Sequence, residues 1–143
     1  MKAERLSDVP DDMTAALLAA GLPVDDLAED GRTFYRFLLD GQTVGFGGYE
    51  RYGEAALLRS IVIAPGKRGA GLGRAFTEAL MTDLSAQGVT DAYLLTTTAS
   101  GFFQAVGFTE TDRSSAPAAI LATRQASALC PSTASLLSRS TKR

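Results

Sequence analysis

Between residues 8 and 21 the apolar positions Met13, Ala16, Leu17 and Ala20 fall at the spacing of a helix with one buried face. Pro10 suits a first helical turn and Gly21 a stop, so a helix is predicted over Asp8–Gly21. A second short helix is predicted after Pro23, ending by Gly31. The period then changes to two. Thr33–Leu39 and Val44–Tyr52 read as strands joined by a hairpin at Asp40-Gly41, and Ala55–Ala64 as a third strand. Leu72, Phe76, Ala79, Leu80 and Leu84 restore the helical stripe over Leu72–Gln87, ended by Gly88. A strand over Ala92–Thr98, a short helix over Gly101–Val106 and a strand over Phe108–Thr111 follow. The Ala-rich Ser114–Ala128 reads as helical, Ser135–Ser138 as a last strand, and Ser138–Arg143 as a frayed basic end. The expected class is α/β, with a mixed central sheet flanked by helices.

The 143 residues, 45% hydrophobic and 21% charged, suit one folded domain over 1–143. With 14 basic and 16 acidic residues the formal charge is -2, which offers no global field for nucleic acid. Histidine is absent. That excludes Ser-His-Asp and Cys-His sites, imidazole-ligated zinc and histidine acid–base work. The lone Cys130 forms no intrachain disulfide and reads as a small buried hydrophobe, so no metal is expected. The N-terminus is polar, and no apolar run approaches the roughly 20 residues of a membrane span. A cytoplasmic protein without membrane attachment, monomeric or homodimeric, is expected.

The most informative segment is Pro65-Gly66-Lys67-Arg68-Gly69-Ala70-Gly71-Leu72-Gly73-Arg74, between a predicted strand and helix. Such a loop gathers backbone N–H groups at the positive end of a helix dipole, and its glycines admit a ligand close to the backbone. Lys67, Arg68 and Arg74 add cations, so a phosphate-bearing ligand is indicated. It is no P-loop, because four free positions after Gly66 lead to Gly71, and Leu72-Gly73 follow where lysine and a hydroxyl belong. A dinucleotide fingerprint fits poorly too: Arg74 stands where the third glycine belongs, and the loop follows a meander rather than opening a βαβ unit.

The run from Ile61 to Gly73 resembles the acyl-CoA motif of the GCN5-related N-acetyltransferases (GNAT), with Arg68, Gly71 and Gly73 at the motif positions. A second segment, Thr96, Ala99, Phe102-Phe103 and Gly107-Phe108, stands at the distance found in that family. The resemblance extends to about Asp112 and implies a GNAT fold with acetyl-CoA as cosubstrate. It implies that the backbone of Gly69, Ala70, Gly71, Leu72, Gly73 and Arg74, with Arg68, holds the CoA pyrophosphate. It further implies that the main chain of Ile61, Val62 and Ile63 pairs with the pantetheine arm. The amide of Val62 or Ile63 would polarise the thioester carbonyl. Two positions depart from the family pattern. Thr96 stands where asparagine is frequent, and Phe103, beside the cofactor, replaces the tyrosine that usually protonates the departing thiolate. A thiol with a pKa of about 8.5 leaves with little protonation, so the substitution is compatible with turnover.

An attacking amine must first lose its proton, and without histidine Glu50 is the leading base, with Glu54, Tyr49, Tyr52 or a water chain as alternatives. Arg59 lies inside an apolar strand. Pointing inward, it and Arg51 would suit a substrate carboxylate or phosphinate; pointing outward, Arg59 is a solvated charge. Thr97, Thr98 and Ser100 could meet the substrate or relay a proton through water.

The tail adds a narrower similarity. Leu95–Phe103, Asp112-Arg113, Ala116–Ile120, Ser127 and Leu129-Cys130-Pro131 resemble the short acetyltransferases of bacterial arsenic-resistance genes. This implies an amino-acid-like acceptor amine, of arsinothricin or phosphinothricin type, and a role in detoxification. The alternative from another class is a non-catalytic binder of acyl-CoA or a related metabolite on the same fold.

Overall fold

The computed structural model describes residues 1–67, 71–123, 126 and 134–142. Arg68, Gly69 and Ala70, most of the residues between Thr123 and Ala134 (Cys130 among them) and Arg143 lie outside the described residues.

A seven-stranded sheet runs in the order β1-β2-β3-β4-β5-β7-β6. Its left half is an antiparallel meander: β1 (Lys2–Arg5), β2 (Arg32–Leu39), β3 (Gln42–Tyr52) and β4 (Ala55–Ile63). The turn at Asp40-Gly41 falls where the sequence places it, with both residues at positive φ (52° and 78°). The right half holds β5 (Asp91–Thr96), β6 (Thr109–Glu110) and β7 (Ser135–Ser140). β5 runs parallel to β4, and β7 antiparallel to both β5 and β6.

Helices cover both faces. α1 (Asp11–Ala19) sets Met13 and Leu17 against Phe34, Phe46 and Val62. α2 (Leu72–Ala86) crosses the opposite face, where Phe76, Leu80 and Leu84 meet Phe37, Val44 and Leu58. α3 (Ser100–Ala105) joins that second core through Phe103. Phe37 and Phe76 stack with ring centres 4.1 Å apart. Gly45 allows this close approach of helix to strand, because a Cβ there would lie 2.3 Å from both the Phe76 ring and the Val62 carbonyl oxygen. Gly45→Ala is therefore expected to lower stability by about 1–3 kcal/mol in urea unfolding.

Three sequence expectations are corrected. No second helix forms before Gly31; residues 25–31 make turns, with the Glu29 N–H donating to the Asp26 carbonyl at 3.1 Å. The Ala-rich tail is not one helix in its described part. Pro117 separates a 3-10 turn (Arg113–Ser115) from the four-residue α4 (Ala118–Leu121). Nor is the C-terminal end frayed as far as it is described. β7 continues through Ser140, and the buried Arg139 donates to Glu78 Oε1 at 2.6 Å and to the Val106 carbonyl at 3.0 Å, tying the strand to α2.

Candidate active site

β4 and β5 begin as neighbours and then part. Their register covers only Ala55–Leu57 opposite Asp91–Tyr93. The cause lies in β4, where the pairing with β3 skips between Phe46 and Gly48 and Ser60 takes φ 59°. This bulge shifts the strand's phase by one residue. Leu58 faces the α2 core, yet Ile61 and Ile63 face it too, while Arg59 and Val62 turn toward α1. Regular alternation from Leu58 would have reversed Ile61, Val62 and Ile63. The extra twist opens a cavity of about 410 Å3 between the splayed strands.

The backbone beyond the bulge presents donors to this cavity. The Ala64 N–H donates to the Val44 carbonyl at 2.8 Å, and Val62 lies opposite Phe46. Antiparallel alternation therefore spends the Val62 amide on β3 and turns those of Ile61 and Ile63 toward the gap. Of the two amides expected from sequence to polarise a carbonyl, Val62 is thus misplaced, and Ile63 is joined by Ile61.

At the mouth of the cavity α2 begins. Gly71 is its N-cap at φ 76°, and the first turn has neither an acidic residue nor a side-chain cap. Among the described residues no side chain caps the first-turn amides, and the helix dipole favours an anion there. A Cβ on Gly73 would lie 2.9 Å from the Phe102 ring, so that glycine lets α3 close over the helix start. Arg74 donates to the Ala105 carbonyl at 3.2 Å and ties α2 to α3.

Phe103 lines the cavity, 9% exposed, with its ring edge-on to Phe102 at 5.0 Å and Phe108 at 5.8 Å. β5 stops at Thr96 because the Thr96 hydroxyl accepts the Ala99 N–H at 2.9 Å, which bends the chain. The strand expected to reach Thr98 is shortened accordingly. Thr98 lines the cavity, whereas Thr97 is exposed beside it.

The largest departure concerns charge. Arg59 is neither free for a substrate anion nor solvated: its side chain is 1% exposed. It donates to both Asp26 oxygens at 2.6 Å, to Glu50 Oε2 at 2.8 Å and, through Nε, to Ser60 Oγ at 3.1 Å. Arg32 also donates to Asp26, at 2.9 Å. Burial alone would raise the Asp26 carboxyl, but the hydrogen bonds from Arg59 and Arg32 outweigh it and hold the pKa at about 2. Glu50 is fully buried behind Arg59, and its other oxygen accepts from the Tyr52 hydroxyl. Burial, then the hydrogen bond to Glu50, pushes Tyr52 up to about 12. Glu50 is no exposed turn carboxylate, and among the described residues lining the cavity it does not appear. Arg51 lies at the far end of β3, donating to the Gln87 carbonyl at 3.0 Å and the Gly53 carbonyl at 3.3 Å, away from the cavity. Asp26 carried no motif in the sequence; the signal that could have found it was Arg59, a cation in an apolar strand that demands a buried anion.

The comparisons with known proteins agree with this architecture. The family described as the Acetyltransferase (GNAT) domain matches residues 30–110. No curated protein sequence matches the chain. N-acetylglutamate synthase from Neisseria gonorrhoeae, solved with coenzyme A and N-acetyl-glutamate, shares the fold at TM-score 0.77 and 13% identity. That match covers 100% of this chain and 36% of the gonococcal protein, so this chain corresponds to about a third of it. Tetrahymena GCN5 matches at TM-score 0.75 and 12% identity over 99% of this chain and 96% of its own. The ribosomal-protein-S18-alanine N-acetyltransferase of Escherichia coli matches at 0.68 and 17% over the same shares, 99% and 96%. With more than half of its length matched by the family and its bulged, splayed sheet leading into an uncapped helix, the chain belongs to the GNAT acetyltransferase domain family.

Proposed function

We propose that the chain is an acetyl-CoA-dependent N-acetyltransferase that transfers acetyl directly, within a ternary complex, to the amine of a small amino-acid-like acceptor. The observation that carries this reading is the continuity of the β4–β5 gap with the uncapped start of α2. A pyrophosphate at the helix start and an extended arm along β4 would use the free amides at both ends of one cavity. Neighbours on this fold were solved with coenzyme A, and one of them also holds an acetylated amino acid.

In the proposed step the neutral amine attacks the thioester carbonyl, whose oxygen gathers charge opposite the amides of Ile61 and Ile63. The C–N bond forms, the C–S bond breaks, and the electron pair leaves on the CoA thiolate. Phe103 has no proton to give, which a thiolate of pKa about 8.5 tolerates near neutral pH. Both Glu50 oxygens are already hydrogen-bonded, so its proposed part is to hold Arg59, while water in the open cavity takes the amine's proton. With Arg59 neutralised by two carboxylates, the cavity wall supplies no free guanidinium for the anionic tail of an arsinothricin- or phosphinothricin-type acceptor among the described residues. The sequence similarity of the tail is what supports that acceptor class.

The test is a calorimetric titration with acetyl-CoA followed by thiol detection during an amine screen that includes amino acids, arsenicals and phosphinothricin-like compounds. Micromolar binding, about 8 kcal/mol, with CoA release that depends on an added amine is the expected result. Binding without such release would favour the non-catalytic acyl-CoA binder, which the phenylalanine at position 103 supports.

A further inference from the structure

The cavity has a near and a far end. Gly73, Ile63 and Phe102 line it where α2 begins, and Ser60 and Arg59 lie three and four residues up the strand from Ile63, about 10–13 Å at strand rise. The wall at that far end is completed by Ala20, Leu22 and Pro23, from the segment between α1 and β2. This segment has no regular structure of its own. The Leu22 N–H donates to the Leu17 carbonyl at 2.9 Å; beyond it come only local turns, Leu27 to Val24 at 3.5 Å and Glu29 to Asp26 at 3.1 Å. Leu27 packs into the α1 core and brings the segment down on the sheet. Apolar packing is non-directional, so it does not by itself fix where Leu22 and Pro23 stand along β4.

The Asp26 side chain does fix it. Its carboxylate is fully buried and grips the planar Arg59 fork through two bonds of 2.6 Å, a geometry with one angular solution. Arg59 is itself held firmly, since Glu50 and Ser60 take two more of its donors and its guanidinium lies 5.7 Å from the Phe34 ring centre. Arg32, from β2, closes the far side of the same carboxylate. The segment is thus riveted to the strand residue immediately before the bulge.

We propose that Asp26 is a positioning residue: through Arg59 it pins the segment carrying Leu22 and Pro23 as the far wall of the cavity, and so restricts the protein to short acyl groups. The consequence for specificity rests on the acyltransferase reading; the pinning itself does not. A longer acyl chain, entering from the α2 end, would have to displace Leu22 or Pro23, and the ion pair resists that displacement.

The experiment compares the full-length wild type with Asp26→Asn, Leu22→Ala and Asp12→Asn. The last breaks an exposed carboxylate–Arg36 pair of the same charge change and serves as control. Acetyl-CoA and butyryl-CoA are the probes, read as Kd and as thiol release in water without any acceptor. The wild type is expected to favour acetyl-CoA by at least about tenfold, and both Asp26→Asn and Leu22→Ala to compress that ratio severalfold while acetyl-CoA affinity stays within about twofold. Asp12→Asn should leave the ratio unchanged. A folded Asp26→Asn protein with the wild-type ratio overturns the proposal. If Asp26→Asn does not fold, an unchanged ratio in Leu22→Ala overturns it instead, since that variant widens the same wall without touching a charge. Hydrogen exchange separates the two readings. Residues 20–31 should exchange at least about fivefold faster in Asp26→Asn than in wild type. Equal rates overturn the latch whatever ligand the cavity takes, whereas faster exchange in a protein that binds no acyl-CoA keeps the latch and removes the acyltransferase reading.

Discussion

Gly71→Glu is expected to reduce acetyl-CoA affinity by at least about 100-fold with the fold intact, as measured by calorimetry beside circular dichroism. Two separable effects sum to that loss. Gly71 caps α2 at φ 76°, a left-handed conformation that costs a residue with a Cβ about 1–2 kcal/mol. A Cβ at that position meets nothing within 4 Å, so the penalty is conformational rather than steric, and the new side chain has room to stand at the helix start. There its carboxylate occupies the positive end of the dipole, satisfies first-turn amides that no described side chain caps, and repels the pyrophosphate. Gly71→Ala isolates the first effect. It should destabilise the protein by about 1 kcal/mol and weaken acetyl-CoA less than tenfold. The glutamate could even recover part of that stability as a cap. Relative to Gly71→Ala, Gly71→Glu would then be more stable and bind acetyl-CoA more weakly, which general misfolding does not produce. Unaltered acetyl-CoA binding by Gly71→Glu would sink the assignment of this loop and helix start to the cosubstrate.

The elements that were legible in the sequence are those whose signal is local. The meander showed because Asp40-Gly41 and Gly53 punctuate alternating strands, and α2 because Leu72, Phe76, Leu80 and Leu84 lie on one stripe. β1 did not show. Its residues are all exposed and pair with β2 through the backbone, with one surface ion pair from Glu4 to Arg36, so Lys2–Arg5 carries no alternation to read. The helix expected before Gly31 failed for the opposite reason. Asp26 there answers to Arg59, 33 positions away, and a long-range ion pair overrides a short run of weak helix formers. The bulge was equally hidden: Ser60 adopts φ 59° without being glycine, and the sequence Leu57–Ile63 reads as an unbroken strand. The half of the candidate site proposed to hold phosphate was therefore visible as a glycine pattern. Its far half was not, because it is built from a register shift and from charges brought together by the fold.

Arg59→Met should destabilise the protein by about 3–5 kcal/mol and make its stability rise as pH falls from 7 to 4. In the native protein two buried carboxylates, Asp26 and Glu50, are enclosed with two guanidiniums, Arg59 and Arg32, so the buried charges balance, and the exposed Glu29 stands 3.6 Å from Arg32 at the rim. The variant leaves Arg32 alone, 2.9 Å from Asp26 and 3.7 Å from Glu50, to serve both. One buried negative charge then goes uncompensated. The pH dependence follows with a definite sign. Asp26 has a folded pKa of about 2 against an ordinary 3.8, so its contribution is present above about pH 4 and lost as pH falls toward 2. That difference corresponds to about 2 kcal/mol. Without Arg59, burial dominates, a carboxyl pKa rises above its unfolded value, and protonation favours the folded form. Stability of the variant should thus increase as pH falls from 7 to 4, where wild-type stability is level with respect to this cluster. Urea midpoints across that range measure both slopes, and a level slope in the variant would contradict the assignment. Removing the partner charge supplies the complementary test. Asp26→Asn with Arg59→Met leaves Arg32 and Glu50 as a balanced pair, so the double variant should be more stable than Arg59→Met alone. That recovery would place the cost in unpaired burial of charge rather than in lost packing, since methionine and arginine fill similar space along the α1 face.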